Sequence, residues 1–185
     1  MRALHFRKAA GSARKFGGRG LDVAMAAESA DAIVAIGGTG SGRNDSSVQT
    51  LAREGQLTVH GLALTPGETA AFGFVGVRPV LLLPGRLDSA LSVWLFVGRR
   101  MLDRLAAVKN SDNEPTETLT LARKVSSTVG LAEIVPVRRS GTEVEPMGTK
   151  YLSLSSLTRS AGWILVPADS EGYSAGTSVQ VRPWP

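Results

Sequence analysis

The chain has no cysteine and only two histidines, His5 and His60, among its 185 residues. The absence of cysteine excludes disulfide bridges, thiolate catalysis and cysteine-bound metal centres, and two histidines are too few for a typical zinc site. Aromatic residues make up only 5% of the chain, which disfavours a surface for stacking nucleic-acid bases. The chemistry of this chain must therefore rest on carboxylates, hydroxyls, arginines and backbone groups.

Long apolar runs are also lacking. The longest, Ala90–Val97, is far shorter than the roughly 20 residues that a membrane span requires. The sequence shows no apolar core of a secretory signal either. With 43% hydrophobic and 20% charged residues, the composition is typical of a globular protein. We therefore expect a soluble, cytoplasmic protein with no membrane partner.

Positive charge is concentrated at the start of the chain. The net charge is +5, yet residues 1–20 contain six basic groups and no acidic one, so the rest is close to neutral. A nucleic-acid-binding domain generally carries its basic patch on the folded body, so we expect no nucleic-acid partner. The basic segment is open to three interpretations: a transit-like leader, an arm that contacts a polyanion, or the solvated first part of the domain. We favour the last.

Up to about residue 110, apolar segments of strand length alternate with helix-like segments. The predicted helices are Leu21–Ala30, Ser46–Glu54 and Ser89–Ala106, and the predicted strands are Ala32–Ile36, Leu57–Ala63, Ala70–Val75 and Val80–Leu83. This alternation predicts an α/β domain over residues 1–110, with a mainly parallel sheet in a three-layer arrangement. The wholly apolar Val80–Leu83 is typical of a strand buried on both faces.

The pattern changes after the polar, helix-breaking segment 110–115, which we interpret as a linker. Beyond it, short alternating segments predict strands at Glu117–Arg123, Ala132–Arg138, Trp163–Val166 and Ser178–Val181. Ser140-Gly141-Thr142 predicts a hairpin turn. Residues 115–185 are therefore expected to form a small all-β domain, a barrel or sandwich.

A glycine-dense turn is the strongest local signal. Gly37-Gly38-Thr39-Gly40-Ser41-Gly42 follows the strand Ala32–Ile36 and precedes the helix that starts near Ser46. Such a turn exposes backbone N–H groups beside the positive end of a helix, which suits a phosphate-bearing ligand. Asp45, three residues further on, is the type of side chain that holds a metal ion or orients a reacting oxygen. A tight structural turn that binds nothing is the alternative.

Two familiar phosphate motifs nearly fit the turn and fail. The P-loop pattern G-x-x-x-x-G-K-[ST] meets Arg43 at the lysine position and Asn44 at the hydroxyl position, so the Mg²⁺ ligand is missing. The dinucleotide fingerprint G-x-G-x-x-G begins at Gly38 and ends on Arg43 instead of glycine. We therefore expect neither of these two nucleotide sites.

Four segments together carry a resemblance to a known family. They are Asp31–Gly42 with Asp45, His60–Gly67 followed by Ala71–Gly73, Leu83–Gly85 with Ser89–Ala90, and, in the β region, Leu154–Leu157, Ala161–Gly162, Pro167, Glu171–Gly172 and Ala175–Gly176. In this order and spacing they resemble the C-terminal half of the molybdopterin molybdenumtransferases, enzymes of molybdenum-cofactor biosynthesis. The likeness covers about residues 25–185.

The resemblance implies a molybdopterin-binding α/β domain followed by a C-terminal β-barrel. In that family, adenylated molybdopterin lies across the glycine turn, and the enzyme exchanges AMP for molybdate with the assistance of Mg²⁺. Carried over by position, the cofactor-binding residues are Gly37, Gly38, Thr39, Gly40, Ser41 and Gly42 in the turn and Pro84, Gly85 and Ser89 in a second loop. Asp45 matches the acidic residue after the turn, and we expect it to be catalytic and to bind the metal.

This chain departs from the family pattern in its charges. Thr65 stands where a basic residue is usual, Glu68 stands where a basic or neutral one is usual, and the sequence has no lysine between Lys15 and Lys109. The second loop reads Pro84-Gly85-Arg86-Leu87 in place of Pro-Gly-Asn-Pro. We therefore expect Arg43, Arg78 or Arg86 to replace the lost cation, and we include Arg86 among the ligand-binding residues.

Three functions stay open. The favoured one is a transferase that inserts molybdate into molybdopterin. The second is a non-catalytic molybdopterin or cofactor carrier, because the family's upstream domains, which add acidic residues from a partner subunit, are not found in this sequence. The third is a molybdopterin adenylyltransferase, suggested by the Gly-Gly-Thr-Gly form of the turn. A homo-oligomer, or a partner chain that supplies the missing domains, is also expected.

Overall fold

The computed structural model of the chain describes residues 30–40, 45–108 and 115–184. They form two units, one of residues 30–62 and 67–108 and the other of residues 63–66 and 115–184. Unlike the predicted division, residues 63–66 thus group with the second unit. The basic first segment, most of the predicted helix Leu21–Ala30, residues Ser41–Asn44 and most of the predicted linker lie outside the described residues.

The first unit is an α/β structure. In chain order its described elements are β1 (Ile33–Ile36), α1 (Ser47–Glu54), β2 (Gln56–His60), β4 (Ala71–Val75), β5 (Arg78–Leu83), α2 (Leu87–Val93), a π-helical turn (Trp94–Gly98) and α3 (Arg99–Leu105). The strands form one sheet in the order β1-β5-β4-β2. The strands predicted from Ala32, Ala70 and Val80 and the helix predicted from Ser46 are confirmed to within two residues at each end.

The direction of these strands corrects the expectation of a mainly parallel sheet. β1 runs parallel to β5, but β4 is antiparallel to both β5 and β2. The cause is the connection between β4 and β5, which consists only of Gly76 and Val77. Two residues can join antiparallel neighbours, whereas a parallel crossover needs a dozen or more. The described sheet is therefore mixed.

Helix α1 covers one face of this sheet. Val48 and Leu51 lie three residues apart on its inward side and belong to a buried cluster with strand residues. The strand members are Ala35 of β1, Ala71 of β4 and Val80 and Leu82 of β5. All residues of β5 from Pro79 to Leu83 are buried, which confirms burial on both faces for the apolar Val80–Leu83.

The long C-terminal helix of this unit is interrupted by a π-helical turn. From the sequence, the position of Asp88 just before the helix predicted from Ser89 indicates an N-cap role for this residue. The helix begins at Leu87 instead, with Arg86 at the N-cap position and Asp88 inside the first turn, so this prediction is wrong. Gly98 closes the π turn, and a Cβ atom there would lie 2.9 Å from Cδ2 of the Trp94 ring. Glycine at this position therefore makes room for the indole.

The second unit is a small closed β-barrel. Its strands are β3 (Leu64–Thr65), β6 (Glu117–Leu121), β7 (Val125–Ser126), β8 (Ala132–Ser140), β9 (Glu143–Pro146), β10 (Gly162–Val166), β11 (Gly172–Tyr173) and β12 (Ser178–Val181), and its helix is α4 (Leu154–Arg159). The main sheet runs β10-β8-β9-β6-β12. Arg182, directly after β12, exchanges two backbone hydrogen bonds of 2.8 and 2.9 Å with Trp163 of β10, which closes the sheet on itself. The predicted barrel is confirmed.

The barrel core is apolar. Its buried side chains come from β6, β7, β8, β9, β10 and β12 and are mainly valine, leucine and isoleucine. The short β3 joins this unit by pairing parallel to β8, with Leu64 opposite Ala132 and Thr65 opposite Glu133. Within the described ranges, none of the helices has the length and hydrophobicity that crossing a membrane requires.

We predict that Gly98→Ala lowers stability. In a helix interior, Gly→Ala normally stabilises by about 0.5–1 kcal/mol. Here the added methyl meets the Trp94 ring, and we expect a loss of about 1–3 kcal/mol from overpacking. Denaturant unfolding followed by tryptophan fluorescence measures the effect. The matched control is Gly148→Ala, whose Cβ would make an ordinary 3.5 Å contact with the Tyr151 carbonyl oxygen; a stabilised Gly98→Ala protein would contradict the prediction.

Candidate functional site

Three strands of the α/β unit end at the same edge of its sheet, here called the carboxyl edge. β1 and β5 are parallel neighbours, with Ile36 opposite Leu83 at their last positions. β2 runs in the same direction as β5, because each is antiparallel to β4. The glycine turn after β1, His60 at the end of β2 and the loop after β5 therefore lie along one edge, which is where α/β sheets bind ligands.

Backbone conformation explains the first glycines of the turn. Gly37 and Gly38 have φ of +95° and +71°, in the left-handed region that favours glycine. The Gly37 N–H donates to the Leu83 carbonyl oxygen at 2.8 Å, so the turn stays joined to β5. Among the residues that the structure describes, none lies within 4 Å of a Cβ added at Gly37. These residues therefore leave space for a ligand beside Gly37.

Ser47, the first residue of helix α1, makes hydrogen bonds to the glycine turn. The Ser47 hydroxyl donates to the Gly37 carbonyl oxygen at 2.9 Å, and the Ser47 N–H donates to the Gly38 carbonyl oxygen at 3.1 Å. A Cβ at Gly38 would lie 3.2 Å from the Ser47 Cβ and closer still to its hydroxyl. Gly38 is thus required for packing, whereas Gly37 faces open space.

Thr39 is a structural residue of the turn. Its side chain is only 2% exposed, and its hydroxyl shares a 3.0 Å hydrogen bond with the hydroxyl of Thr69. His60 Nε2 lies 3.1 Å from the Thr39 carbonyl oxygen. Because a carbonyl only accepts, Nε2 must carry the proton and donate. Neither Thr69 nor this role of His60 can be read from local sequence spacing.

Asp45 lies at the other end of the turn and is not buried. Its carboxylate is next to Gly40, since a Cβ added there would lie 2.7 Å from Asp45 Oδ2. Among the described residues, no three histidine, aspartate or glutamate side chains assemble into a metal site. A single carboxylate fits Mg²⁺ when ligand phosphates and water complete the shell. Ser41 and Gly42, which complete the predicted turn, lie outside the described residues.

The second loop lies directly beside the glycine turn. A Cβ on Gly85 would be 3.6 Å from the Gly37 Cα. Gly85 and Arg86 are exposed, whereas Pro84 and Ser89 are buried, Ser89 to 5% exposure. The structure therefore brings the two predicted loops together, with Gly37 and Gly85 at their closest approach.

An ion pair occupies this loop. Arg86 donates to both carboxylate oxygens of Asp88, from Nη2 at 2.6 Å and from Nε at 3.2 Å. The Asp88 side chain is 4% exposed and that of Arg86 is 59% exposed. Asp88 Oδ1 also accepts from the Ser89 N–H at 2.8 Å. This role of Asp88, next to the predicted ligand residues, is a feature that the sequence reasoning missed.

Of the arginines expected to replace the missing lysine, the structure places Arg86 at the carboxyl edge and Arg78 away from it. Arg78 begins β5 and pairs with Asp31 at 3.4 Å. It thus lies at the opposite end of the strand from the second loop, about 16 Å away at 3.3 Å per residue. Arg78 is therefore excluded from the carboxyl edge, which corrects that part of the expectation. Arg86 is at this edge, and Arg43 lies outside the described residues.

Two protein-family profiles match the chain. Residues 20–104 match the family described as "Probable molybdopterin binding domain", and residues 118–184 match "MoeA C-terminal region (domain IV)". The two matches cover the α/β unit and the barrel in the same order as the structure. The chain is thus similar first to a molybdopterin-binding α/β domain and then to a MoeA-type C-terminal domain.

A relative in Methanocaldococcus jannaschii, provisionally named as a molybdopterin biosynthesis protein, is 35% identical over 153 residues. The match covers 82% of this chain and 36% of the relative, so the chain spans about a third of that protein's length. Together with the two domain matches, this makes the chain similar over most of its length to part of a molybdopterin biosynthesis protein.

Solved structures show the same fold. Two structures of the MoeA protein from Pyrococcus horikoshii align with TM-scores of 0.72 and 0.71 at 23% and 22% identity, and cover 89% of this chain and 40% and 38% of theirs. A molybdenum cofactor biosynthesis protein from Pyrococcus furiosus aligns with a TM-score of 0.69 at 22% identity, over 88% of this chain and 52% of its own. These likenesses establish the arrangement of each unit's elements.

We predict that Gly38→Ala destabilises the α/β unit more than Gly76→Ala. Both positions have positive φ, which costs a non-glycine residue about 1–2 kcal/mol, but only Gly38 has a neighbour within 4 Å of an added Cβ. The clash with Ser47 should add about 1–3 kcal/mol. Thermal unfolding of both variants measures the difference, and equal losses would show that the turn does not pack on Ser47.

Proposed function

We propose that this chain acts in molybdenum-cofactor biosynthesis by binding adenylated molybdopterin at the carboxyl edge of its α/β unit. The observation that carries the proposal is the contact between the two predicted loops, with Gly85 placed against Gly37 and open space beside Gly37. The family matches and the MoeA-type relatives support the choice of ligand.

The chemistry of the edge suits a ligand that combines phosphate with a flat ring. Glycine turns present backbone N–H groups that bind phosphate oxygens without side-chain charge, and here the donors are those beyond Gly37, whose own N–H donates to Leu83. Arg86 supplies a guanidinium beside them, in a loop that also exposes Gly85. We propose that the phosphate part of the ligand lies along Gly37–Gly40, with the second loop covering its other side.

Asp45 is the residue that would hold Mg²⁺, together with oxygens of the ligand. Bound there, the metal would neutralise negative charge on the pyrophosphate as AMP leaves. The chain itself contributes the Asp45 carboxylate, which fixes the metal's position, and turn amides that stabilise negative charge on the leaving phosphate. Attack by water on the pyrophosphate would break the phosphoanhydride bond and release AMP, and molybdate is the second substrate.

Carrier function is the second candidate. It is favoured by the finding that, over the part of the chain that the structure describes, no three acidic or histidine side chains group into a metal centre. It is also favoured by the engagement of Arg86 in the pair with Asp88. A carrier would bind the same ligand at the same edge without releasing AMP.

The first test is AMP release from adenylated molybdopterin in the presence of molybdate and Mg²⁺. We expect release by the wild-type chain, and a reduction of about 10- to 100-fold in Asp45→Asn, since removing a metal-supporting group costs activity on this scale. Asp103→Asn on α3 carries the same charge change and should retain the wild-type rate. Binding without AMP release would reject the transferase in favour of the carrier, whereas ATP-dependent adenylation of molybdopterin would identify an adenylyltransferase.

The second test concerns Arg86. We expect Arg86→Ala to weaken binding of adenylated molybdopterin about tenfold, because a charge-assisted contact contributes roughly 1.5–3 kcal/mol. Arg78→Ala makes the same change at the opposite edge of the sheet and should alter the affinity less than about twofold. Fluorescence titration measures both, with thermal unfolding to confirm that the variants are folded. Unchanged affinity in Arg86→Ala would refute its role.

A further inference from the structure

The second loop carries a negative charge that balances the positive charge of its arginine. Between Pro84 and Ala90 the sequence has two charged residues, Arg86 and Asp88, of opposite sign. Both carboxylate oxygens of Asp88 accept from the guanidinium, at 2.6 and 3.2 Å. Two parallel N–H···O bonds of this kind are the strongest geometry for such a pair. The loop is therefore close to electrically neutral before any ligand binds.

Donors of the protein stabilise the buried carboxylate of Asp88. Its side chain is 4% exposed, and a buried carboxylate is stable only where charged or polar groups compensate it. The compensating groups include Arg86, the Ser89 N–H at 2.8 Å from Oδ1 and the Ser89 hydroxyl at 3.5 Å. An anionic ligand at this loop would use the same donors. Asp88 thus engages Arg86 and Ser89, two residues that we expect to bind the ligand.

We propose that Asp88 is a specificity-determining residue that acts as an internal counter-ion and disfavours a bare dianionic oxyanion at the second loop. The inference rests on the proposed function, because it takes this loop to face the ligand. A free molybdate or phosphate ion must compete with Asp88 for Arg86 and is repelled by a carboxylate that stays in place. The loop therefore accepts the less charged part of a larger ligand more readily than an isolated oxyanion.

The test is the affinity for molybdate and for inorganic phosphate, measured by calorimetry at low ionic strength. Asp88→Asn keeps the side-chain size and an oxygen that accepts from the Ser89 N–H, and it removes the negative charge. We expect the variant to bind both oxyanions about tenfold more tightly than the wild type. The gain should fall in high salt, because the interaction is electrostatic.

Two controls separate the proposed role from a general charge effect. Asp103→Asn makes the same charge change 15 residues further along the helical segment, about 22 Å away at 1.5 Å per residue, and should leave oxyanion binding within about twofold of wild type. In the Arg86→Ala background, Asp88→Asn should lose most of its gain, because the donor that it releases is absent. Equal gains in both backgrounds would show that Asp88 does not act through Arg86.

Unchanged or weaker oxyanion binding in a folded Asp88→Asn protein overturns the inference, as does the absence of binding to both proteins. If thermal unfolding shows that Asp88→Asn is not folded, Asp88→Ser provides the same comparison with a smaller side chain. The proposed function is judged separately, by binding of adenylated molybdopterin to the wild-type chain. Pterin binding without a gain in Asp88→Asn rejects only the inference, whereas a gain without pterin binding rejects only the proposed ligand.

Discussion

The parallel pairing of β1 with β5 is the constraint on which the candidate site depends. Its register sets Ile36 opposite Leu83, so the two strands end side by side. The Gly37 N–H extends this ladder by one bond to the Leu83 carbonyl oxygen. The chain then reverses through left-handed glycines, a conformation that residues with a Cβ adopt only at a cost. A shift of the register would separate the two loops and remove the close approach of Gly85 to Gly37.

The site combines backbone donors with very little net side-chain charge. Ser47 and Thr39 fix the conformation of the first loop, because the Ser47 hydroxyl donates to the Gly37 carbonyl oxygen and the Thr39 hydroxyl bonds to that of Thr69. In the second, a buried aspartate balances the exposed arginine. Such an edge recognises its ligand by the shape of the glycine turn and by the orientation of the backbone amide groups in it. This is consistent with the absence of lysine from this part of the sequence.

Sequence reasoning was most successful where hydrophobic periodicity determines the structure. Val80–Leu83 was predicted as a strand buried on both faces, and it is one. The same burial does not reveal strand direction, because antiparallel and parallel strands covered on both sides have the same apolar composition. The two-residue connection Gly76–Val77 was the available signal for an antiparallel pair. β5 is parallel to β1 as expected, but β4 is antiparallel to both of its neighbours, so the sheet is mixed and not mainly parallel.

Within the site, local motifs identified the loops but not the contacts between distant residues. Thr39 and Thr69 are 30 positions apart, and no spacing rule connects them. Asp88 was assigned to helix capping from its place before an apolar helix, a role that many aspartates have. In the structure, Asp88 pairs with Arg86, two residues earlier, and accepts from the Ser89 N–H. The bidentate pair is visible only once the loop conformation is known.

The short strand β3 has a consequence for how this protein can be divided. Ala63–Pro66 lies between β2 and β4 in the sequence, yet it belongs to the barrel, where the Ala132 N–H donates to the Ala63 carbonyl oxygen at 2.8 Å. A single cleavage between residues 108 and 115 would therefore not yield an intact barrel. The fragment would keep β8 but lose four residues of its neighbour and expose backbone groups at Ala132 and Glu133. Evolutionary exchange of either half with another protein would have to preserve this interruption in the chain.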